Sequence, residues 1–193
     1  SLRLVPAGTV PGKHDHVDIS FGTQWLRLRD PRRFGAVLWT DGPPEAHRLL
    51  RHLGIEPLTR ALDGRRLHAL AHGSHIQIKP FLMDGRRVVG VGNIYASESL
   101  FRAGIHPRRR AGRLSPARCA RLARAIKRTL RAAIRAGGSS LRDYVGGDGA
   151  RGGFQRRALV YGRQGEACRR CGTPIRRIVQ GQRATYFCPR CQR

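Results

Sequence analysis

The sequence predicts an α+β chain, and three observations carry that expectation. Apolar residues alternate between His16 and Trp39, a helical period takes over after Pro43, and two Cys-x-x-Cys pairs near the C-terminus bracket a short hairpin pattern. At 193 residues and 40% hydrophobic content, the chain can bury one ordinary core or two small ones.

The N-terminal part comes first. His16–Phe21, Trp25–Leu28 and Phe34–Trp39 alternate as antiparallel strands do. Ser1–Val5 reads as though it began inside a sheet. Three strands leave an open edge and a bare apolar face, so further sheet is expected upstream of Ser1.

From Pro43 the apolar spacing becomes helical. Glu45–Leu53 is predicted to be a helix capped by Gly54, and Leu62–Ala71 a second ending near Gly73. Asn93–Ala103 is a third. The clearest starts at Ser115 as N-cap with Pro116 in the first turn. It places Leu122, Ile126, Leu130 and Ile134 on one stripe and stops at Gly137-Gly138. Cys119 lies within this pattern and is expected to be a small buried hydrophobe. The opposite face carries Arg121, Arg124, Lys127, Arg128, Arg131 and Arg135, which suit either a solvated face or a DNA contact. Residues 146–153 are glycine-rich and are predicted to form a mobile loop, a linker or a lid.

Cys168-x-x-Cys171 and Cys188-x-x-Cys191, with sixteen residues between the pairs, have the spacing of a zinc ribbon. Four thiolates fill a tetrahedron and leave no position for a reactive water, so one structural zinc ion is predicted. Between the pairs, Ile175–Val179 and Ala184–Phe187 read as strands joined at Gln180-Gly181-Gln182, which puts Arg183 near a rigid tip. There it either forks onto a phosphate or faces solvent.

Charge narrows the partner. Thirty-eight Lys and Arg against twelve Asp and Glu give a formal charge of +26, which a polyanion would relieve; nucleic acid is the leading candidate. There is no apolar run of bilayer length and no signal-peptide pattern, so a soluble, intracellular protein without a membrane role is expected.

Three further motifs fit a nucleic-acid partner. Asp30-Pro31-Arg32-Arg33-Phe34-Gly35 sets two arginines beside an aromatic. That suits either a wedge entering a base stack or a plain turn with Phe34 tucked into the sheet. Gly90-Val91-Gly92-Asn93 lacks the third glycine of a dinucleotide fold, but its glycines allow close backbone approach, Asn93 can cap the helix, and free amides there attract phosphate. Lys13-His14-Asp15-His16 lacks a third metal ligand, whereas a histidine donating to phosphate is reasonable.

Taken in order, these motifs, together with Ile78-Lys79-Pro80-Phe81-Leu82-Met83-Asp84 and the stretch Gly90 through Glu98, resemble the bacterial formamidopyrimidine-DNA glycosylases. The likeness runs from Ser1 to Arg193. It implies a partial antiparallel β-sandwich over residues 1–42 and a helix-two-turn-helix domain over 43–145. A flexible lesion-covering loop over 146–159 and a β-hairpin zinc finger over 160–193 would follow. It further implies a monomeric bacterial DNA-repair enzyme that flips an oxidised purine such as 8-oxoguanine from duplex DNA, cuts its glycosidic bond and nicks the abasic strand. By position, Arg32 and Phe34 would fill the gap, with Arg33 and His14 on the DNA. Lys79 and Asn93 would hold phosphates. Arg183 would grip the phosphates flanking the lesion and donate the proton of the closing elimination. His75 stands where many relatives carry a DNA-contacting lysine. The family's N-terminal proline nucleophile has no counterpart in this sequence, so the chain is expected to be a piece lacking it and to be inactive alone. Two other readings stay open: a non-catalytic zinc-ribbon DNA-binding protein of the same fold, and a sister glycosylase for oxidised pyrimidines, which the Asp30–Gly35 motif suits less well.

Overall fold

The computed structural model describes residues 1–139 and 152–193. Its residues group into two compact units, Ser1–Pro43 with Ala133–Arg156 and Pro44–Ala132 with Arg157–Arg193.

The first unit is built on a three-stranded antiparallel sheet of β1 (Leu2–Pro6), β2 (Asp15–Phe21) and β3 (Gln24–Arg29), in the order β1-β3-β2. Register sets Leu2, Leu28 and Val17 abreast, then Leu4, Leu26 and Ile19, so one face is apolar. Leu2, Leu4 and Ile19 remain 50%, 53% and 42% exposed on it. The other face carries buried Arg27, which grips Asp18 through two bonds of 2.8 and 2.9 Å and donates to the carbonyls of Thr9 and Val10. That guanidinium ties the loop carrying Lys13 and His14 back onto the sheet. A register irregularity between Asp15 and Val17 accompanies approach of the Asp15 carboxylate to Arg27 and Arg29, at 3.7 Å from each.

The strand expected at Phe34–Trp39 does not form. Central β3 already carries β1 and β2 on its two edges, and the 34–39 alternation finds no ladder among the described residues. Phe34 and Trp39 are left 83% and 88% exposed.

In the second unit, α1 (Gly64–Ala71), α2 (Ile78–Met83), α3 (Asn93–Ala103) and α4 (Pro116–Arg135) enclose a core that includes Leu67, Phe81, Leu82, Leu100, Leu122 and Ile126. Each such side chain contributes about 1.5–3 kcal/mol relative to exposure. Asp63 starts α1 by accepting from the Arg66 amide at 2.7 Å, which places the helix two residues after the expected Leu62. Gly64 is required by proximity, because a Cβ there would collide with Ala120 of α4. Ser115 Oγ accepts from the Arg118 amide at 3.4 Å, and α4 runs as expected with Cys119 fully buried. Its stripe fades at the end: Ile134 is 64% exposed.

The helix expected over Glu45–Leu53 is replaced by a single 3-10 turn, Pro44–Ala46, followed by irregular turns. A helix this short needs packing to persist, and Leu49, Leu50 and Leu53 remain 54%, 41% and 53% exposed. Helix α2 carries no sequence signature because six residues are too few to display a period. Of the glycine-rich 146–154 segment, residues 146–151 lie outside the described residues. Phe154 is buried and opens a 3-10 turn.

The C-terminal hairpin pairs β4 (Arg176–Gln180) with β5 (Arg183–Phe187). Its two-residue turn puts Gly181 at φ 52 and Gln182 at φ 60, the left-handed pair that matches strand twist. The turn is therefore one residue shorter than the sequence suggests, because Gln180 joins β4, and Arg183 opens β5 opposite it.

Candidate nucleic-acid interface and zinc centre

The four cysteine sulfurs lie within 4.8 Å of one another. Zinc-to-sulfur bonds of about 2.3 Å require tetrahedral edges near 3.8 Å. The Cys168–Cys191 and Cys171–Cys188 edges, 4.0 and 3.5 Å, bracket that value, so the donor set fits a structural zinc ion. The knuckle amides of Arg170 and Cys191 point at Cys168 and Cys188 Sγ at 3.4 Å each. Crowding sets the thiols apart: burial, then the neighbouring thiols, push Cys191 up to about 12, while the Thr173 hydroxyl and amide hold Cys171 down to about 6. A dication in their midst favours thiolate at all four. Gln192 then fixes the knuckle to the helical body, accepting from the Cys188 amide and donating to the Ile105 carbonyl, both at 2.9 Å.

The hairpin so anchored meets α2 and the start of α3 at Lys79. This lysine is 1% exposed, and its ammonium donates to Asn93 Oδ1, to the Ala184 carbonyl at 3.1 Å and to Thr185 Oγ1 at 2.6 Å. All three acceptors are neutral. Burial, with Arg183 adding like charge, pushes the ammonium down to about 8. Asp84 also lines the groove, but its carboxylate is taken by Arg86 and Arg87 at 3.0 and 3.5 Å. The groove of about 260 Å³ is bounded by Lys79, Pro80, Gln180, Gly181 and Arg183, with Arg183 exposed at its mouth. A cationic pair without its own anion is chemistry suited to phosphate.

Asn93 was expected to cap α3, and the structure corrects this. The N-cap is Gly92, with no side-chain cap, and the Asn93 amide is turned aside to serve Lys79 and to donate to Tyr161 Oη at 3.0 Å. Tyr161 is held in turn by Glu98, a signal the sequence reading passed over. Its fully buried carboxylate accepts from the Leu159, Val160 and Tyr161 amides at 2.9–3.0 Å. A lone carboxylate among Ala96, Leu100 and Phe101 on a buried helix was the available clue. Thr185 was missed as well, because only the folded hairpin brings it to Lys79.

In the sheet unit, Asp30 organises the other cluster. Its carboxylate accepts from the Gly35 amide at 2.6 Å and the Arg32 amide at 3.2 Å, and these bonds hold it below the usual carboxylate range. The turn so pinned holds Arg33 at φ 57, an unfavourable backbone for a side-chain-bearing residue, and projects Phe34 into solvent. The alternative with Phe34 tucked into the sheet is thereby excluded. The Arg32 guanidinium lies 5.4 Å from the Phe34 ring centre. His14 joins the cluster through its carbonyl, which accepts from the Asp30 amide at 2.9 Å, and His16 Nε2 meets the Asp30 carbonyl at 3.0 Å. His75 is exposed and makes no recorded hydrogen bond or ion pair among the described residues.

Known proteins are similar to this chain in sequence and fold. Residues 53–145 match the formamidopyrimidine-DNA glycosylase H2TH domain, and residues 165–193 match the zinc finger found in FPG and IleRS. A formamidopyrimidine-DNA glycosylase of Aromatoleum aromaticum is 61% identical over all of this chain and 71% of its own length. Among solved structures, the MutM (Fpg) protein of Thermus thermophilus is 39% identical with a TM-score of 0.87, over 99% of this chain and 71% of that one. The Lactococcus lactis Fpg in complex with an abasic site containing DNA is 35% identical with a TM-score of 0.85, over 100% and 71%. No helix among the described residues is long and apolar enough to cross a membrane.

Proposed function

The chain belongs to the formamidopyrimidine-DNA glycosylase family, and from that premise we propose that its residues grip duplex DNA at an oxidised purine or an abasic site during excision repair. The observation that carries this is the pairing of buried Lys79 with exposed Arg183 in one groove, where Asp84 is taken by Arg86 and Arg87 and no other carboxylate among the described residues lines the groove.

In this reading residues 160–193 form a zinc-braced scaffold whose hairpin tip presents Arg183 to the phosphates flanking the lesion. Residues 43–145 contribute Lys79 and Asn93 from α2 and α3. Lys79 already uses its three protons on neutral oxygens, so it acts as a fixed positive charge, exchanging one neutral acceptor for a phosphate oxygen. Residues 1–42 supply the wedge. Phe34, presented by the Asp30 turn, enters the gap left by a flipped base, with Arg32 on the orphaned partner and Arg33 and His14 on the strand. His75 reaches the backbone as an accessory contact. Where the family's proline nucleophile, which this sequence does not contain, is present, Arg183 also supplies the proton for the closing elimination. The protein works as a monomer in the bacterial cytoplasm.

The test is selectivity: zinc-loaded protein is titrated with matched duplexes carrying an abasic site, 8-oxoguanine or no lesion. Tighter binding to the two damaged duplexes is expected, and equal affinity for all three would refute the assignment.

A further inference from the structure

A second basic surface lies away from this groove. On α4, Arg121, Arg124, Arg128 and Arg131 are all exposed, and none makes a hydrogen bond or ion pair recorded among the described residues. At about 100° and 1.5 Å per residue they fall within an arc of about 80° and span about 15 Å. Buried Leu122, Ile126 and Leu130 occupy the opposite side.

The stripe is continued by other elements of the same unit. Arg102, in the last turn of α3, has an Nε that is buried without a hydrogen-bond partner among the described residues; burial, then the like charges of Arg128 and Arg170, disfavour its charge, against the attraction of Glu98. Arg118 is likewise under the influence of Arg109 and Arg121. Like charges at these helical spacings destabilise the free helix, a cost that an external polyanion removes. Arg102 sits nine residues beyond Asn93 on α3, about 13 Å along its axis, which sets the stripe apart from the groove at Lys79.

We propose that the α4 arginine stripe is a second binding surface for the phosphate backbone of duplex DNA, so that the protein holds a second DNA segment while the groove at Lys79 and Arg183 holds the first. This goes beyond the lesion-binding role and does not require it. Charge decides the occupant. Between Arg121 and Arg131 no large apolar side chain is exposed that would enter a lipid layer or anchor a protein partner. A duplex presents about one negative charge per 1.7 Å of axis, more than the stripe can neutralise over its length. Two-handed contact lets a bound protein pass directly from one segment to another.

The experiment uses the zinc-loaded chain bound to a fluorescent abasic-site duplex and chased with rising concentrations of unlabelled, undamaged duplex. The wild-type dissociation rate is expected to rise several-fold with competitor. The variant Arg121→Gln/Arg124→Gln/Arg128→Gln/Arg131→Gln keeps good helix formers and should show a flat rate, with its affinity for the labelled duplex retained; lysine at all four positions should restore the competitor dependence. A wild-type rate independent of competitor overturns the proposal whether or not the variant folds. So does an unchanged dependence in the glutamine variant. Loss of labelled-duplex affinity in that variant would place the stripe within the first footprint, and competition by anionic vesicles in place of duplex would reassign it to membranes.

Discussion

Lys79 donates to the side-chain oxygen of Asn93 from a position 1% exposed, and no carboxylate among the described residues touches either group. A buried ammonium satisfied only by neutral oxygens is a poised charge, and its behaviour with pH follows.

In the free protein burial, with Arg183, brings Lys79 from 10.5 to about 8. The folded value lies below the unfolded one, so between those limits the unfolded chain binds more protons and Lys79 contributes stability that rises with pH. DNA reverses the preference, because a phosphate favours the charged form. Affinity for an abasic-site duplex is therefore expected to fall above pH 8, approaching about tenfold per unit, and Lys79→Met should flatten that limb. Fluorescence anisotropy from pH 7 to 9.5 measures both proteins, and parallel curves would remove Lys79 from the interface.

Removing zinc should disarm the groove as well as the ribbon. Thr185 and the Ala184 carbonyl, two of the three oxygens holding Lys79, lie on β5, and β5 runs directly into Cys188. Chelation is expected to release one zinc per chain and to abolish lesion selectivity together with the hairpin's amide protection. Retention of selectivity in metal-free protein would show that the hairpin stands without its metal.

Phe34→Ala should separate binding from folding. At 83% exposure the ring contributes little to the free structure, so thermal stability is expected to stay within about 0.5 kcal/mol. Preference for abasic over undamaged duplex should shrink, because the gap loses its wedge. Titrating both duplexes checks this, and an unaltered preference would leave Phe34 without a role.

Glu98→Ala should have the opposite signature. Without the carboxylate, the amides of Leu159, Val160 and Tyr161 lose their buried acceptor, at a cost of about 3 kcal/mol or more. Urea unfolding at fixed zinc reads this directly, and Glu98→Gln, which keeps one acceptor oxygen, should lose less. Wild-type stability in Glu98→Ala would mean the segment is held by other contacts.

How legible these features were depended on how local their causes are. The cysteine spacing, the Ser115 cap and the α4 stripe are written within a few residues of themselves, and the structure follows them. Phe34–Trp39 and Glu45–Leu53 have equally regular patterns, but strand and helix at those lengths need partners, and the exposure of Trp39 and Leu53 shows that none is supplied. Asn93 was placed at the right helix end with the wrong task, because Lys79, fourteen residues earlier, competes for its side chain. The convergence of Lys79, Thr185 and Arg183 spans more than a hundred residues and has no local signature.

On the proposed reading Arg183, at the tip of the zinc-braced hairpin, carries a phosphate of the lesion strand beside Lys79. The salt dependence of affinity for an abasic-site duplex reads that contact. Arg183→Ala should weaken binding and reduce the slope of log affinity against log salt by about 0.9, the share of one phosphate contact. An unchanged slope with unchanged affinity would remove Arg183 from the interface.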